Sequence, residues 1–182
     1  MDRFTHTMTA ENLFLIVNIV GGLAVLGGYA AGLGLYPQHG AALWGGVDGT
    51  LRTVFTVSML PAATGYLAFC FYALFQGGIS QEHEILGTYW AAILSAIFLI
   101  SAAIWMPTSI GFIHTGNSYW WIIAIASLWI TALSVIALTV TVAATPDLPA
   151  TFSKYTAITG LAYMTFHCLV LDAIIWVWLF DK

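Results

Sequence analysis

His167 and Asp172 stand inside the last long apolar run of this chain, within YMTFHCLVLD at 163–172. A histidine can serve as base, proton carrier or metal ligand, and an aspartate beside it can orient or neutralise the ring. In an α-helix, five residues turn the chain by about 500°, leaving the two side chains about 140° apart and about 7.5 Å apart along the axis. The spacing therefore predicts no direct His–Asp couple within this segment.

Tyr155, Thr159, Tyr163 and His167 follow at steps of four and form a polar stripe down one helical face. Such a stripe lines a ligand or proton path, or else its hydroxyls bond neighbouring helices. Asp172 falls on the face of Leu161 and Thr165, so its partner must come from another segment or from water, with Asn18 and Tyr66 or Tyr72 as candidates. The predicted ligand or proton-path set is His167, Asp172, Tyr163, Asn18, Thr159 and Tyr155. No residue is assigned as catalytic or metal-ligating.

The remaining constellations are weaker. QEHE at 81–84, with His6, Glu11 and Asp147, mixes oxygen and nitrogen donors but lacks an HExxH pattern and reads as a hydrated loop. His39, Asp48, Arg52 and His114 gather at the opposite side, as a lid over a cavity mouth or an interfacial turn, and Asp48 and Arg52 are spaced to pair on a helix. No GxSxG, P-loop or dinucleotide fingerprint occurs, and no lysine lies within an apolar run to form a Schiff base. His167 is the only histidine at mid-membrane depth, which disfavours bis-histidine haem ligation and leaves a single-histidine haem or chlorin as the pigment reading; the sequence names no cofactor. Cys70 and Cys168 stand in separate apolar runs, without a CxxC, and read as packing residues.

These residues need elements to hold them, and composition decides which. Of 182 residues, 60% are hydrophobic and 7% charged, against about 25% charged in soluble domains. So few charges cannot cover a water-facing surface, and lipid is the natural surrounding. The net charge of −4 comes with four basic residues and no basic stripe, which argues against nucleic acid and against polybasic attraction to anionic head groups.

A hydrocarbon core of about 30 Å takes about 20 helical residues. Five apolar runs of that length occur, approximately 13–36, 54–75, 89–112, 119–143 and 157–179, separated by turn-forming stretches. The expected fold is all-α, a single transmembrane domain forming a bundle of five helices in a multi-pass membrane protein. Short breaks predict that spans 2 and 3, and spans 3 and 4, pack as antiparallel neighbours. The mixed start MDRFTHTMTAEN lacks signal-peptide character, so the first span is expected to stay. Five spans put the termini on opposite sides: side A, with the N-terminus, has Arg3 and Lys154, and side B has Arg52 and Lys182, a tie that leaves orientation open.

Tyr89, Trp90, Tyr119, Trp120, Trp121, Trp176 and Trp178 fall at span ends, as expected of an interfacial belt. Ala24, Gly28 and Gly32 give span 1 a face nearly free of side chains, suited to close helix packing, to a homodimer seam or to close backbone contact with a ligand. Pro61 and Pro107 each remove a backbone donor within a span and can kink it.

The Trp105-x-Pro107 step in IWMPTSIGF, with five spans and many tryptophans, resembles the third helix of the tryptophan-rich TspO translocator family. The Trp-Tyr, Lys-Pro and Pro-Pro features of that family's first connection are missing from YPQHGAALWGGVDGTLR, so membership is not assigned. The resemblance implies only an apolar ligand held between helices.

The function expected from these residues is binding or passing a small or apolar ligand, or protons, through an intramembrane pocket lined by the last helix. The alternatives are a non-catalytic accessory subunit of a larger membrane complex, or a membrane-embedded enzyme or pigment protein. The expected partners are the lipid bilayer, a hydrophobic small molecule, and a second copy or a membrane-complex partner.

Overall fold

The computed structural model describes residues 8–80, 87–145 and 151–180. Five long apolar helices account for most of them: α1 (Ala10–Leu35), α2 (Gly49–Phe75), α3 (Trp90–Thr115), α4 (Ser118–Ala144) and α5 (Thr151–Phe166). The last helix continues beyond α5 as a π-helical segment (His167–Trp176) and closes with one α turn (Val177–Leu179). Each of the five is long and apolar enough to cross a membrane, and the described residues contain no strand. The chain is a multi-pass helical membrane bundle.

The ends follow local chemistry. Thr9 caps α1 by accepting from the Asn12 N–H at 3.2 Å, and Asn117 caps α4 by accepting from the Tyr119 N–H at 2.9 Å. Gly116 closes α3 in the left-handed region at φ +65°, where a Cβ would be strained. The helices outrun the apolar spans: α2 begins at Gly49 and α5 at Thr151. The extra turns accommodate cations, because the Arg52 guanidinium lies over the Trp44 ring at 4.5 Å and buried Lys154 donates to the Thr145 carbonyl at 2.5 Å.

Around the bundle the helices run α1, α3, α4, α5, α2, with α3 packed on both α1 and α4, and α5 on both α4 and α2. The expected neighbours α3 and α4 do pack together, but α2 lies along α5 instead of α3. Residues 76–89 are long enough to carry the chain across the bundle, so adjacency in sequence does not impose adjacency in space. At the α2/α5 crossing, Gly65 and Gly160 bring the two backbones together, and a Cβ on Gly160 would stand 2.5 Å from the Gly65 Cα. On α1, Gly21 and Gly32 rest on Leu99 and Met106 of α3, whereas Gly22, Gly27 and Gly34 have open space before them.

Two apolar cores fill the bundle. Phe14, Phe69, Tyr72, Trp90, Leu138 and Leu161 build the one nearer side A, and Val47, Phe55, Trp121, Leu171, Trp176 and Phe180 the one nearer side B. Trp90, Trp121 and Trp176 are therefore packing residues and not part of an interfacial belt; Tyr89, Tyr119, Trp120 and Trp178 keep the exposed positions expected of one. The long first connection closes side B: Trp176 Nε1 donates to the Leu43 carbonyl at 2.9 Å and the Gly46 N–H to the Leu179 carbonyl at 3.0 Å. Between the cores lies a layer of hydroxyls, with Ser101 Oγ 2.8 Å from Thr131 Oγ1 and Thr139 Oγ1 3.3 Å from Thr165 Oγ1. The candidate site opens from this layer.

Candidate functional site

The π segment changes the geometry on which the His–Asp spacing depends. In a π-helix the backbone bonds run i to i+5, so residue i+5 stands over residue i, as i+4 does in an α-helix. His167 opens the segment and Asp172 follows by five. Their side chains consequently meet on one face, with Nε2 of His167 3.6 Å from Oδ2 of Asp172. The 140° separation expected from α-helical geometry is overturned, because the segment is not α-helical. The contact is longer than a hydrogen bond and within ion-pair reach.

The other ring nitrogen faces α2. His167 Nδ1 lies 3.0 Å from Ser58 Oγ, and the same Oγ lies 3.0 Å from the Tyr163 hydroxyl. Ser58 and His167 are buried, Asp172 retains 28% of its side-chain exposure, and Tyr163 is exposed at 37%. Four polar groups thus form one line, Tyr163–Ser58–His167–Asp172, whose two middle members are buried. With Asp172 ionised, a single pattern of protons serves the line: Nε2–H toward the carboxylate, Ser58 O–H donating to bare Nδ1, and Tyr163 O–H donating to Ser58 Oγ. With the other neutral tautomer of His167, Nδ1–H donates to Ser58 Oγ and Ser58 O–H to Tyr163, and the pattern reverses. Such a line can pass a proton along its hydrogen-bonded part, between Tyr163 and His167, or present a polar edge to a bound molecule.

Tyr163 is where this line meets open space. Two adjoining hollows, of about 540 and 370 Å³, lie in the groove between α2 and α5, and Tyr163 lines both. Pro61, Thr64, Gly65, Tyr155, Thr159 and Gly160 contribute to the larger one, while Thr53, Val57, Ser58 and Phe166 contribute to the smaller. Neither carries a charged side chain. The larger hollow lies at the glycine crossing, where Gly65 and Gly160 bring the α2 and α5 backbones together and supply no side chains to fill the groove.

The predicted residues divide accordingly. Tyr163, His167 and Asp172 come together; Tyr155 and Thr159 line the outer groove, so the stripe turns from the surface to the interior at His167. Asn18 lies elsewhere, accepting from the Tyr66 hydroxyl at 2.7 Å and donating to the Phe14 carbonyl at 2.8 Å. Asn18 and Tyr66 are therefore committed to each other and not to Asp172. Tyr72, the third candidate, is packed in the side A core. Tyr29 and Cys168 lie within electrostatic reach of Asp172.

Ser58 is the residue that sequence reading missed, although a signal existed. It precedes Pro61 by three positions and sits at a depth in α2 comparable to that of His167 in the last helix. On side B, His39 and His114 approach ring to ring at 5.8 Å beside Tyr36, and the connection that carries His39 packs against the bundle end instead of lidding a cavity. QEHE, His6 and Asp147 lie outside the described residues. Among the described residues no group of three or more His, Cys, Asp or Glu converges to hold a metal ion. Comparison of the chain with protein-family models, curated proteins and solved structures finds no match.

Proposed function

We propose that this membrane protein binds a neutral, lipid-soluble molecule in the groove between α2 and α5, with the polar part of the ligand against Tyr163 and Ser58. The observation that carries the reading is the junction at Tyr163, where two apolar hollows meet a buried line of hydrogen-bonding groups. Polar and ionisable groups at membrane depth are costly and mark ligand or ion pathways where they face a cavity. Lining chemistry selects the ligand class: no charged side chain compensates an ionic head group, whereas hydroxyls offer hydrogen bonds to a carbonyl or alcohol.

The groove opens sideways, toward lipid, so the ligand enters from the bilayer. Asp172, 3.6 Å from Nε2, favours the His167 tautomer that carries Nε2–H, and thereby sets whether Tyr163 donates toward Ser58 or toward the ligand. Anisotropy of a fluorescent diacylglycerol, titrated with the full chain in mild detergent micelles, tests the reading. Saturable binding is expected, weakened at least tenfold by Ala68→Trp, which fills the larger hollow. Non-saturable binding, or the same isotherm for Ala68→Trp, contradicts it.

A further inference from the structure

We propose that Ser58, His167 and Asp172 form an acyl-transfer centre that cleaves a neutral carboxylic ester reaching it from the bilayer through the α2/α5 groove. The inference rests on the reading of that groove as a ligand site and assigns the ligand's reactive group. Ser58 is buried yet lines the smaller hollow, and its hydroxyl is held between Tyr163 and His167 at the edge of that space.

The bonding of Ser58 differs from that of its neighbours. Thr53, Thr56 and Thr64 on the same helix each donate to the carbonyl four residues back, the usual way for a hydroxyl to be satisfied in a helix. Ser58 instead bonds two side chains, Tyr163 and His167. His167 bridges Ser58 and Asp172 through opposite ring nitrogens, the arrangement by which an imidazole takes a proton from a nucleophile while a carboxylate stabilises the resulting imidazolium. The His–Asp separation of 3.6 Å shortens as that charge forms, since catalytic contacts tighten on the way to the transition state.

The reaction balances with water as the second reactant. Ser58 Oγ bonds to the ester carbonyl carbon and its proton passes to His167 Nδ1. The tetrahedral intermediate then breaks its bond to the alcohol oxygen, which leaves with that proton. Water next gives a proton to His167 and its oxygen to the acyl carbon; Ser58 Oγ departs, recovers the proton, and an acid and an alcohol remain. Tyr163 lies 3.0 Å from Ser58 Oγ and is the hydroxyl placed to donate to the oxyanion when Oγ becomes an ester oxygen. The two hollows on either side of Tyr163 separate the acyl chain from the leaving group.

The test is labelling of the full chain in mild detergent micelles with an alkyl fluorophosphonate, read by intact mass and peptide mapping. One phosphonyl group per chain, on Ser58, is expected, with none on Ser58→Ala. His167→Ala should slow labelling by about 10²-fold or more, as for loss of a general base. Asp172→Asn and Tyr163→Phe, which keep side-chain size, should each slow it at least tenfold, and a long-chain p-nitrophenyl ester should be hydrolysed in the same order. An unlabelled wild type, or labelling that survives Ser58→Ala, overturns the proposal. If the wild type binds the fluorescent diacylglycerol saturably yet resists phosphonylation, the nucleophile falls and the binding site stands; labelling of Ser58 without saturable binding has the opposite meaning.

Discussion

Nε2 of His167 lies 3.6 Å from Oδ2 of Asp172, and both residues belong to one helix, five positions apart. A backbone wound i to i+5 brings those positions onto one face, so the π segment and the side-chain contact are two aspects of one structure. Extended π-helical winding is rare and tends to occur at functional sites. Here it brings His167 and Asp172 onto one face and aims the other ring nitrogen at Ser58 of α2.

The contact predicts energetic coupling. His167→Ala and Asp172→Ala, measured singly and together by SDS titration in micelles, should show a non-additive term of about 0.5–2 kcal/mol. Additive losses would mean that the two side chains are neighbours without interacting.

Asn18 and Tyr66 form a separate pair, joining α1 to α2 across the side A half of the bundle. Tyr66→Phe should cost about 0.6 kcal/mol, the average for a side-chain hydrogen bond between membrane helices. Asn18→Ala should cost more, about 1–3 kcal/mol, because it leaves the Tyr66 hydroxyl buried without its acceptor. Neither change should alter binding of the fluorescent diacylglycerol, which separates this pair from the His167 line.

The glycine crossing predicts a contrast within one residue type. Gly160→Ala places a Cβ against the Gly65 backbone and should destabilise the bundle by about 1–3 kcal/mol through overpacking, and weaken binding in the groove beside it. Gly34→Ala meets nothing within 4 Å and should be neutral or stabilising by up to about 1 kcal/mol, through helix propensity. Equal effects at the two positions, in thermal unfolding monitored by tryptophan fluorescence, would contradict the crossing.

Much of the fold was legible in the sequence. Apolar run length, Pro and Gly punctuation and capping residues such as Asn117 are local signals, and the bilayer makes helix the only simple solution for such runs. The site was legible only in part. His167, Asp172 and Tyr163 stand out because ionisable and hydroxyl groups are rare in apolar spans, but their mutual geometry depends on π winding, which no residue pattern announces. Asn18 looked like a partner for Asp172 because depth alone cannot give azimuth; its actual partner is Tyr66 on α2. Ser58 was passed over because a serine within a span is ordinarily satisfied by its own backbone, as Thr53 and Thr64 are.

The claim on which the account turns is that the groove beside Tyr163 holds a neutral lipid against the buried polar line. Photocrosslinking with a diacylglycerol carrying a diazirine in one acyl chain, at limiting probe in lipid nanodiscs, tests it most directly. Mapped adducts are predicted to concentrate on 61–68 of α2 and 155–166 of the last helix, and to be competed by unlabelled diacylglycerol. Adducts spread evenly over the lipid-facing surfaces of all five helices, uncompeted, would contradict it.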